Sequence, residues 1–225
     1  MEDIAPGLLK KLQDDFNGLV KSNKRLAVLQ EKILSKDASY IECSDYATEL
    51  GQILAKVFQD NLKARDLPNS KMHYNIAQRI IDPMMRDQHF LISKATFQVQ
   101  KTINKNAGIG LKVLEPEINE DKIKGIIDKV SDSDNFEDVK WVLDEPIVNY
   151  SQSVVDDAIK INAELHSKAG MKPIVIRKVA GKCCEWCQRV AGTYVYPNVD
   201  RDVFKRHQRC RCTIEYVVRG KRTKL

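Results

Sequence analysis

Five of the six cysteines in this chain lie within a short stretch near its end, CCEWCQRVAGTYVYPNVDRDVFKRHQRCRC, residues 183–212. Cys184 and Cys187 form a C-x-x-C pair, and His207 and Cys210 form an H-x-x-C pair further on. Two close pairs joined by a spacer of this size are typical of tetrahedral zinc sites. Thiolate and imidazole ligands select Zn²⁺ over Mg²⁺ or Ca²⁺. Four protein ligands leave no position for water, so the pattern predicts a structural rather than a catalytic zinc ion.

The choice of ligands stays open, because more donors are present than a tetrahedral ion needs. Cys212 follows Cys210 on the same side of a predicted strand and can replace Cys210 or His207 as a ligand. Cys183 adds a further thiol beside the C-x-x-C pair, at a less usual spacing. The four residues of the two pairs are therefore the predicted set, with Cys212 as the alternative ligand.

Three other interpretations of the cysteine stretch compete with zinc. A redox C-x-x-C pair needs its first cysteine at a helix N-terminus, where the dipole lowers the thiol pKa. Here the residues after the pair, QRVAGTYVYP, are typical of a turn and a strand, and a redox pair leaves His207, Cys210 and Cys212 unexplained. Reduced, unliganded thiols are the second alternative. Disulfides are the third, and they are disfavoured in the reducing cytoplasm that we expect from the lack of a signal-peptide core. Cys43, far from the stretch, is predicted to be an ordinary buried or half-buried thiol.

Positive charge is concentrated at the cysteine-rich end. Residues 171–225 carry 14 Lys and Arg against 4 Asp and Glu, a net charge of +10, whereas the whole chain carries only +6. Residues 1–170 therefore have a net charge of −4. A basic segment of this kind is a solvated tail or contacts nucleic acid or an acidic protein surface. A zinc-stabilised fold is expected to display the following basic residues around the ion: Arg206, Arg209, Arg211, Arg219, Lys221, Arg222 and Lys224.

Apolar stripes at helical spacing and capping residues predict a helical N-terminal region. The first stripe predicts one long helix, which we expect to pack on its own chain rather than form a coiled coil. Pro83 is interpreted as the start of a new helix, with Asp82 as its cap. The predicted helices run from Pro6 to about Ser35–Ala38, from the N-cap Ser44 onward, over Tyr74–Ile80, and from Pro83 to Asn106.

The second half of the chain mixes helix and strand signals. Helices are expected over residues 119–130, 136–143 and 146–168, with Gly170 as the left-handed cap of the last. β-Branched and alternating runs predict strands over residues 172–179, 192–197 and 212–218. The fold class is therefore α+β. The predicted division is a helical domain over 1–145 and a small zinc-pinned helix-plus-β domain over 146–225.

Catalytic motifs are sparse in this sequence. It contains no G-x-S-x-G, P-loop or H-E-x-x-H pattern. His166, Asp200 and Asp202 are the candidates for a nuclease-like site, but their spacing matches no known pattern. His166 is interpreted as a cation at a helix C-terminus, and His89 as a surface or partly buried histidine outside any metal site. We therefore predict that the protein is not an enzyme.

The C-terminal motifs resemble a known family. A helix ending in Ala169-Gly170 is followed by the C-x-x-C pair, by Gly192, and by the closing run His207-Gln-Arg-Cys-Arg-Cys-Thr213. This order resembles the C-terminal domain of the phage Mu F-like minor head proteins, the phage head morphogenesis family, over about residues 146–218. Two departures are Gln208, where the family has proline, and the additional thiol of Cys183. Neither removes a candidate ligand.

The resemblance implies a minor capsid protein of a tailed bacteriophage. Such a protein would be portal-associated, would act in head assembly, DNA packaging or ejection, and would have the portal and other head proteins as partners. It would lie in the virion, in the head interior or at the portal vertex, and in the host cytoplasm during assembly. Packaged DNA would be a non-specific contact of the basic lobe. Zinc-containing nucleic-acid-binding protein or nuclease is the alternative function, and a thiol-redox protein is the third.

Overall fold

The computed structural model describes residues 3–181 and 183–218, and it is mostly helical with a small three-stranded antiparallel sheet near the C-terminus. This confirms the α+β class. The helices are α1 (Ala5–Ser22), α2 (Lys24–Leu34), α3 (Tyr40–Asn61), α4 (Tyr74–Asn106), α5 (Glu120–Ser131), α6 (Phe136–Val139), α7 (Glu145–Lys168) and α8 (Glu185–Val190). The strands are β1 (Ile174–Lys178), β2 (Gly192–Val195) and β3 (Thr213–Val217). Within the described residues, 3-10 helices lie at Ala64–Asp66, Pro68–Ser70, Lys140–Leu143 and Arg201–Phe204.

The first amphipathic stripe is divided between two helices, so the prediction of one long helix is wrong. Asn23 has an extended backbone, and its side-chain oxygen accepts a hydrogen bond of 2.9 Å from the Leu26 N–H. Its amide also donates to Glu49 of α3 at 2.8 Å. A residue that interrupts the apolar stripe thus ends α1 and caps α2. The expected packing on the chain's own helices is confirmed, because α1 contacts both α3 and α4.

Two predicted helix starts are also wrong. α3 begins after Ser39, which forms a capping box with Glu42, whereas Ser44 is buried inside the helix. α4 runs without interruption through Pro83. An internal proline costs a helix about 3 kcal/mol. The burial of four large side chains around this position offsets that cost, since each of them is at most 1% exposed: Ile80, Ile81, Met84 and Met85.

A close crossing of α3 and α7 organises the molecule. A Cβ added to Gly51 in α3 would lie 2.8 Å from both the Val148 Cα and the Ser151 Oγ of α7. The two helices can approach this closely only because Gly51 has no side chain. α7 thereby becomes the platform on which the C-terminal part of the chain is built.

The sheet packs onto this helical platform, in the strand order β2-β1-β3. Val175 of β1 and Ile214 and Tyr216 of β3 belong to the same hydrophobic core as the helices, and β3 contacts α3 and α7. Gly170, with φ of +80°, ends α7 in the predicted left-handed conformation. Because the strand residues share one hydrophobic core with the N-terminal helices, that core includes residues on both sides of position 145. Among the described helices, none combines the length and the apolar character that a membrane span requires.

Candidate metal centre

Two separate turns bring the cysteines and the histidine together. Cys184 is the N-cap of α8, and Cys187 lies in the first turn of that helix. The predicted turn after the C-x-x-C pair is therefore wrong, because residues 185–190 are helical, although the strand that follows does form as β2. His207 and Cys210 lie in the loop between the 3-10 helix Arg201–Phe204 and β3, and a Cys210 N–H to His207 O hydrogen bond of 3.2 Å closes that turn.

The Sγ of Cys187 lies at the centre of the cluster. It is 2.9 Å from the Nε2 of His207, 3.4 Å from the Sγ of Cys212 and 3.9 Å from the Sγ of Cys210. The Sγ of Cys184 lies 3.4 Å from the same Nε2. In a tetrahedral zinc site, bonds of 2.0–2.3 Å place neighbouring ligand atoms about 3.5–3.8 Å apart. The two Sγ–Sγ separations are therefore close to those that one metal ion requires, whereas the distance from the Cys187 Sγ to the His207 Nε2 is shorter.

Five donor atoms belong to this cluster, arranged as two groups of three that share Cys187. One group is Cys184, Cys187 and His207, and the other is Cys187, Cys210 and Cys212; within each, all donor atoms lie within 4.8 Å of one another. The four predicted ligands are divided between these groups, with Cys184 and His207 in one, Cys210 in the other and Cys187 in both, and the alternative Cys212 lies with Cys210. The cluster can hold a metal ion. Cys183 is only partly buried against the cluster and belongs to neither group.

The surroundings of His207 direct one ring nitrogen at the sulfurs. Its Nδ1–H donates to the Gln208 carbonyl at 2.7 Å, which leaves Nε2 with a free lone pair. Asn149 of α7 donates to the His207 carbonyl at 3.1 Å, and the Trp186 ring packs edge-on with a centroid distance of 5.6 Å. A second hydrogen bond that fixes tautomer and orientation is the usual support of a metal-binding histidine.

Arg177 of β1 is a site residue that the sequence reasoning missed. It is 2% exposed, its Nη2 lies 3.6 Å from the Sγ of Cys210, and its Nη1 donates to the carbonyls of Val203 and Lys205. Its guanidinium also lies 5.2 Å from the Trp186 ring centroid. The alternation in β1 carried a signal, because Arg177 shares the buried face of Val175, two residues earlier.

A second buried arginine ties the cluster to α7. Arg206 and Asp156 form an ion pair with side chains only 4% and 1% exposed, including a hydrogen bond of 2.8 Å from Nη2. The Nη1 of Arg206 donates to the Cys212 carbonyl at 2.9 Å. Arg206 therefore lies beside the cluster as predicted, but its side chain is buried rather than displayed. Its charge is compensated inside the protein, so burial does not leave it isolated.

The remaining predicted basic residues have different environments. Arg211 pairs with Glu145 at 2.9 Å and is partly buried, whereas Arg209 is exposed. The others lie outside the described residues: Arg219, Lys221, Arg222 and Lys224.

Crowding of the thiols shifts their acidity in opposite directions. Burial, a hydrogen bond with Cys212 and the nearby sulfurs raise the pKa of the Cys187 thiol. Burial also acts to raise the pKa of Cys212, but hydrogen bonds from Cys187, from the Ala180 backbone and from Cys210, together with the charge of Arg177, outweigh it and lower that pKa. The protein environment thus favours the Cys212 thiolate and disfavours the Cys187 thiolate. A divalent cation bound here would favour deprotonation of both, because metal binding stabilises deprotonated thiols.

Two histidines outside the cluster are buried and neutral. His166 is 0% exposed, its Nδ1 pairs with the Tyr216 hydroxyl, and burial lowers its pKa. Its interpretation as a helix-terminal cation is wrong. His89 is more buried than predicted, at 5% exposure, and donates from Nε2 to the Pro116 carbonyl at 3.0 Å. Neither belongs to the metal-binding groups found among the described residues.

Asp200, Asp202 and Cys43 have local structural roles. Asp200 accepts a hydrogen bond of 2.8 Å from the Asp202 N–H and so caps a 3-10 helix, while Asp202 pairs with Lys205 at 2.8 Å. Cys43 is 0% exposed in α3, which confirms its prediction as a buried thiol.

The chain has no significant match among protein-family models, curated proteins or solved structures.

Proposed function

We propose that the cluster binds one structural Zn²⁺ ion through four of its five donors, with Cys184, Cys187, His207 and Cys210 as the favoured set. The convergence of three further sulfurs and one imidazole nitrogen around the Cys187 sulfur is the observation that carries this proposal. Soft thiolate donors favour zinc over magnesium or calcium. Within the favoured set, Cys187 and Cys210 are each 1% exposed, which suits a structural ion, whereas Cys184 is exposed.

The proposed ion serves the architecture of the C-terminal lobe, which we define as residues 171–218. Bound there, it would join α8 to the loop that precedes β3, two segments that are far apart along the chain. In this part of the chain a hydrophobic cluster separate from the main core consists of Cys187, Cys210 and Cys212, with Cys183 and Trp186 packed against it. So few apolar groups contribute little folding free energy, and a bound metal ion would supply more.

We further propose that the protein is a portal-associated minor capsid protein of a tailed bacteriophage, acting in head assembly, DNA packaging or ejection. The order of the helix, the C-x-x-C pair and the closing H-x-x-C-R-C-T supports this through its resemblance to the phage Mu F-like family. A closed metal site without an open coordination position suits a structural role. The proposed partners are the portal and other head proteins, and the proposed location is the virion.

Elemental analysis of the purified protein tests the metal proposal. We expect about one zinc ion per chain, lost in Cys187→Ser and retained in the control Cys43→Ala, whose thiol is buried far from the cluster. Separate Cys210→Ser and Cys212→Ser variants identify the fourth ligand, because only loss of a true ligand lowers zinc affinity strongly. Zinc-free protein that is fully folded, or a Cys187→Ser variant with unchanged metal content, would contradict the assignment.

Particle composition tests the head-protein proposal independently of the metal. We expect peptides of this chain, in few copies, by mass spectrometry of phage particles purified on a density gradient. Cosedimentation with portal-containing heads is the second expected result. Absence from intact particles that contain portal and major capsid protein would overturn this proposal and leave the zinc site unaffected.

A further inference from the structure

A groove beside the C-terminal lobe differs from the cysteine cluster in the residues that line it. It has a volume of about 590 Å³ and lies between α5, the 3-10 helix Lys140–Leu143, the start of α7 and the loop at residues 204–208. This volume is within the range of roughly 300–1,000 Å³ that is usual for small-ligand sites. Asn149, which supports the His207 carbonyl, also lines the groove. One wall is therefore the loop that leads into the metal cluster.

An exposed tryptophan forms part of the groove. Trp141, in the 3-10 helix, is 53% exposed although most of its neighbours along the chain are buried. Tryptophan side chains are highly buried on average, so one that is half exposed on a groove wall offers an unused aromatic surface. Such a surface is suited to stacking against a planar ligand group.

The groove is positively charged. Lys122, Lys129, Lys205 and Arg206 line it, and none of its described lining residues is an aspartate or glutamate. Arg206 is compensated by Asp156. Lys129 and Lys205 approach Asp132 and Asp202 at 3.9 and 2.8 Å, but these are largely exposed pairs of small energetic value. A phosphate in the groove can therefore compete for both lysines.

Helix α5 forms one wall of the groove and contributes a glycine to its lining. No close packing contact requires a glycine at this position. Gly125 lies between Lys122 and Lys129 in α5, and a Cβ added to it would meet no atom within 4 Å. Glycine inside a helix is less favourable than alanine by about 1 kcal/mol. Gly125 thus weakens α5 without allowing a closer contact, and its effect is to keep this side of the groove open.

We propose that this groove binds a single-stranded segment of nucleic acid, with a base stacked on Trp141 and phosphates at Lys122, Lys129 and Lys205. Aromatic stacking platforms combined with a basic groove are the features by which proteins hold single strands without sequence preference. An acidic peptide would use the lysines but would leave the tryptophan without a planar partner. The proposal does not depend on the metal identity or on the head-protein function.

Fluorescence anisotropy with a short labelled oligothymidylate and the full, metal-replete chain tests the proposal. We expect binding that weakens with salt, and Trp141→Ala should weaken it by about 5- to 160-fold, the usual effect of losing one stacked base. Lys122→Gln combined with Lys129→Gln should reduce the slope of log affinity against log salt by about 1.4. The matched control is Lys24→Gln with Lys101→Gln, which removes the same charge from exposed positions on α2 and α4.

Two further variants separate binding from folding. Gly125→Leu adds a side chain where no atom lies within 4 Å, so it should fold normally and still obstruct the groove. Trp141→Phe should keep most of the affinity and lose the quenching of tryptophan fluorescence on binding, since the chain has only 2 tryptophans. Equal effects of the groove and control variants would overturn the proposal. So would equal affinity for duplex DNA, or equal competition by polyglutamate.

Discussion

The helical body, residues 5–168, and the C-terminal lobe are held together by different chemistry. The body is built on apolar side chains such as Leu12, Leu54 and Phe58, each of which is 0% exposed. In the lobe, the buried groups around the candidate metal site are three cysteines and two arginines, Arg177 and Arg206. The β1–β3 face of the lobe joins the main core, whereas its cysteine side forms a cluster of its own.

This difference predicts how each region responds to damage. An apolar core loses stability in increments, because each truncated side chain removes its own contacts and area. A buried charge or thiolate instead depends on its partner, and removing the partner leaves an uncompensated group in a medium of low dielectric. We therefore expect the cysteine side of the lobe to fail as a unit, while the body tolerates single substitutions.

Removal of metal is the change with the largest expected effect on this contrast. A strong chelator should remove the protection of the backbone amides of β1, β2 and β3 against hydrogen exchange and leave the amides of α1, α3 and α4 protected. The reason is that structural zinc contributes roughly 10–16 kcal/mol to the folding of small domains. Hydrogen exchange read by mass spectrometry measures both regions at once. Chelator already loaded with zinc is the control.

Unchanged protection in the strands after complete loss of metal would break the comparison. It would mean that the contacts of Val175, Ile214 and Tyr216 with the main core hold the sheet without the ion. Equal loss of protection in body and lobe would also break it, since the two regions would then form a single cooperative unit.

Breaking the buried ion pair is the second test. Asp156→Ala leaves Arg206 buried without its carboxylate, and we expect a loss of about 3–5 kcal/mol in the free energy of unfolding. Asp14→Ala is the matched control in the body, because its pair with Lys10 is largely exposed and should contribute about 0.5 kcal/mol or less. Urea unfolding of the metal-replete proteins measures both.

A double variant sharpens the same test. Asp156→Leu with Arg206→Met removes both charges and should recover much of the stability that Asp156→Ala loses, since apolar replacements of a buried pair are often well tolerated. A loss for Asp156→Ala no larger than that for Asp14→Ala would show that the lobe does not depend on this pair.

The sequence predicted the parts of the molecule that depend on local signals. The spacing of the C-x-x-C and H-x-x-C pairs predicted a cluster, and the structure brings Cys184 and His207, and in a second group Cys210, close to Cys187; Gly170 marked the end of α7. Predicted helix boundaries were wrong where tertiary packing outweighed local preference. At Pro83, for example, the burial of the surrounding apolar side chains keeps α4 continuous. Stripe periodicity likewise concealed the break at Asn23, although an asparagine there carries a capping signal.

Long-range pairs were beyond the reach of sequence spacing. Arg206 reads as a surface cation in a basic run, and only the fold places it against Asp156, 50 residues earlier. The same is true of His166, whose partner Tyr216 arrives with the last strand. Whether a charged or titratable side chain is buried depends on which element covers it, and a single sequence does not specify that cover.

The smallest expected effect concerns the junction between the two regions, where His166 of α7 meets Tyr216 of β3. Burial lowers the pKa of His166 in the folded protein. Below about pH 6.5 the unfolded chain therefore binds a proton at His166 that the folded protein does not bind. The free energy of unfolding then decreases by at most about 1.4 kcal/mol for each unit by which the pH falls. Urea unfolding of zinc-saturated protein between pH 7 and 5.5 measures this slope. His166→Gln should reduce it without abolishing it, because burial also lowers the pKa of His89. Tyr216→Phe should lower stability and keep the slope, because His166 remains buried. An identical slope in the parent and in His166→Gln would show that this junction does not sense pH.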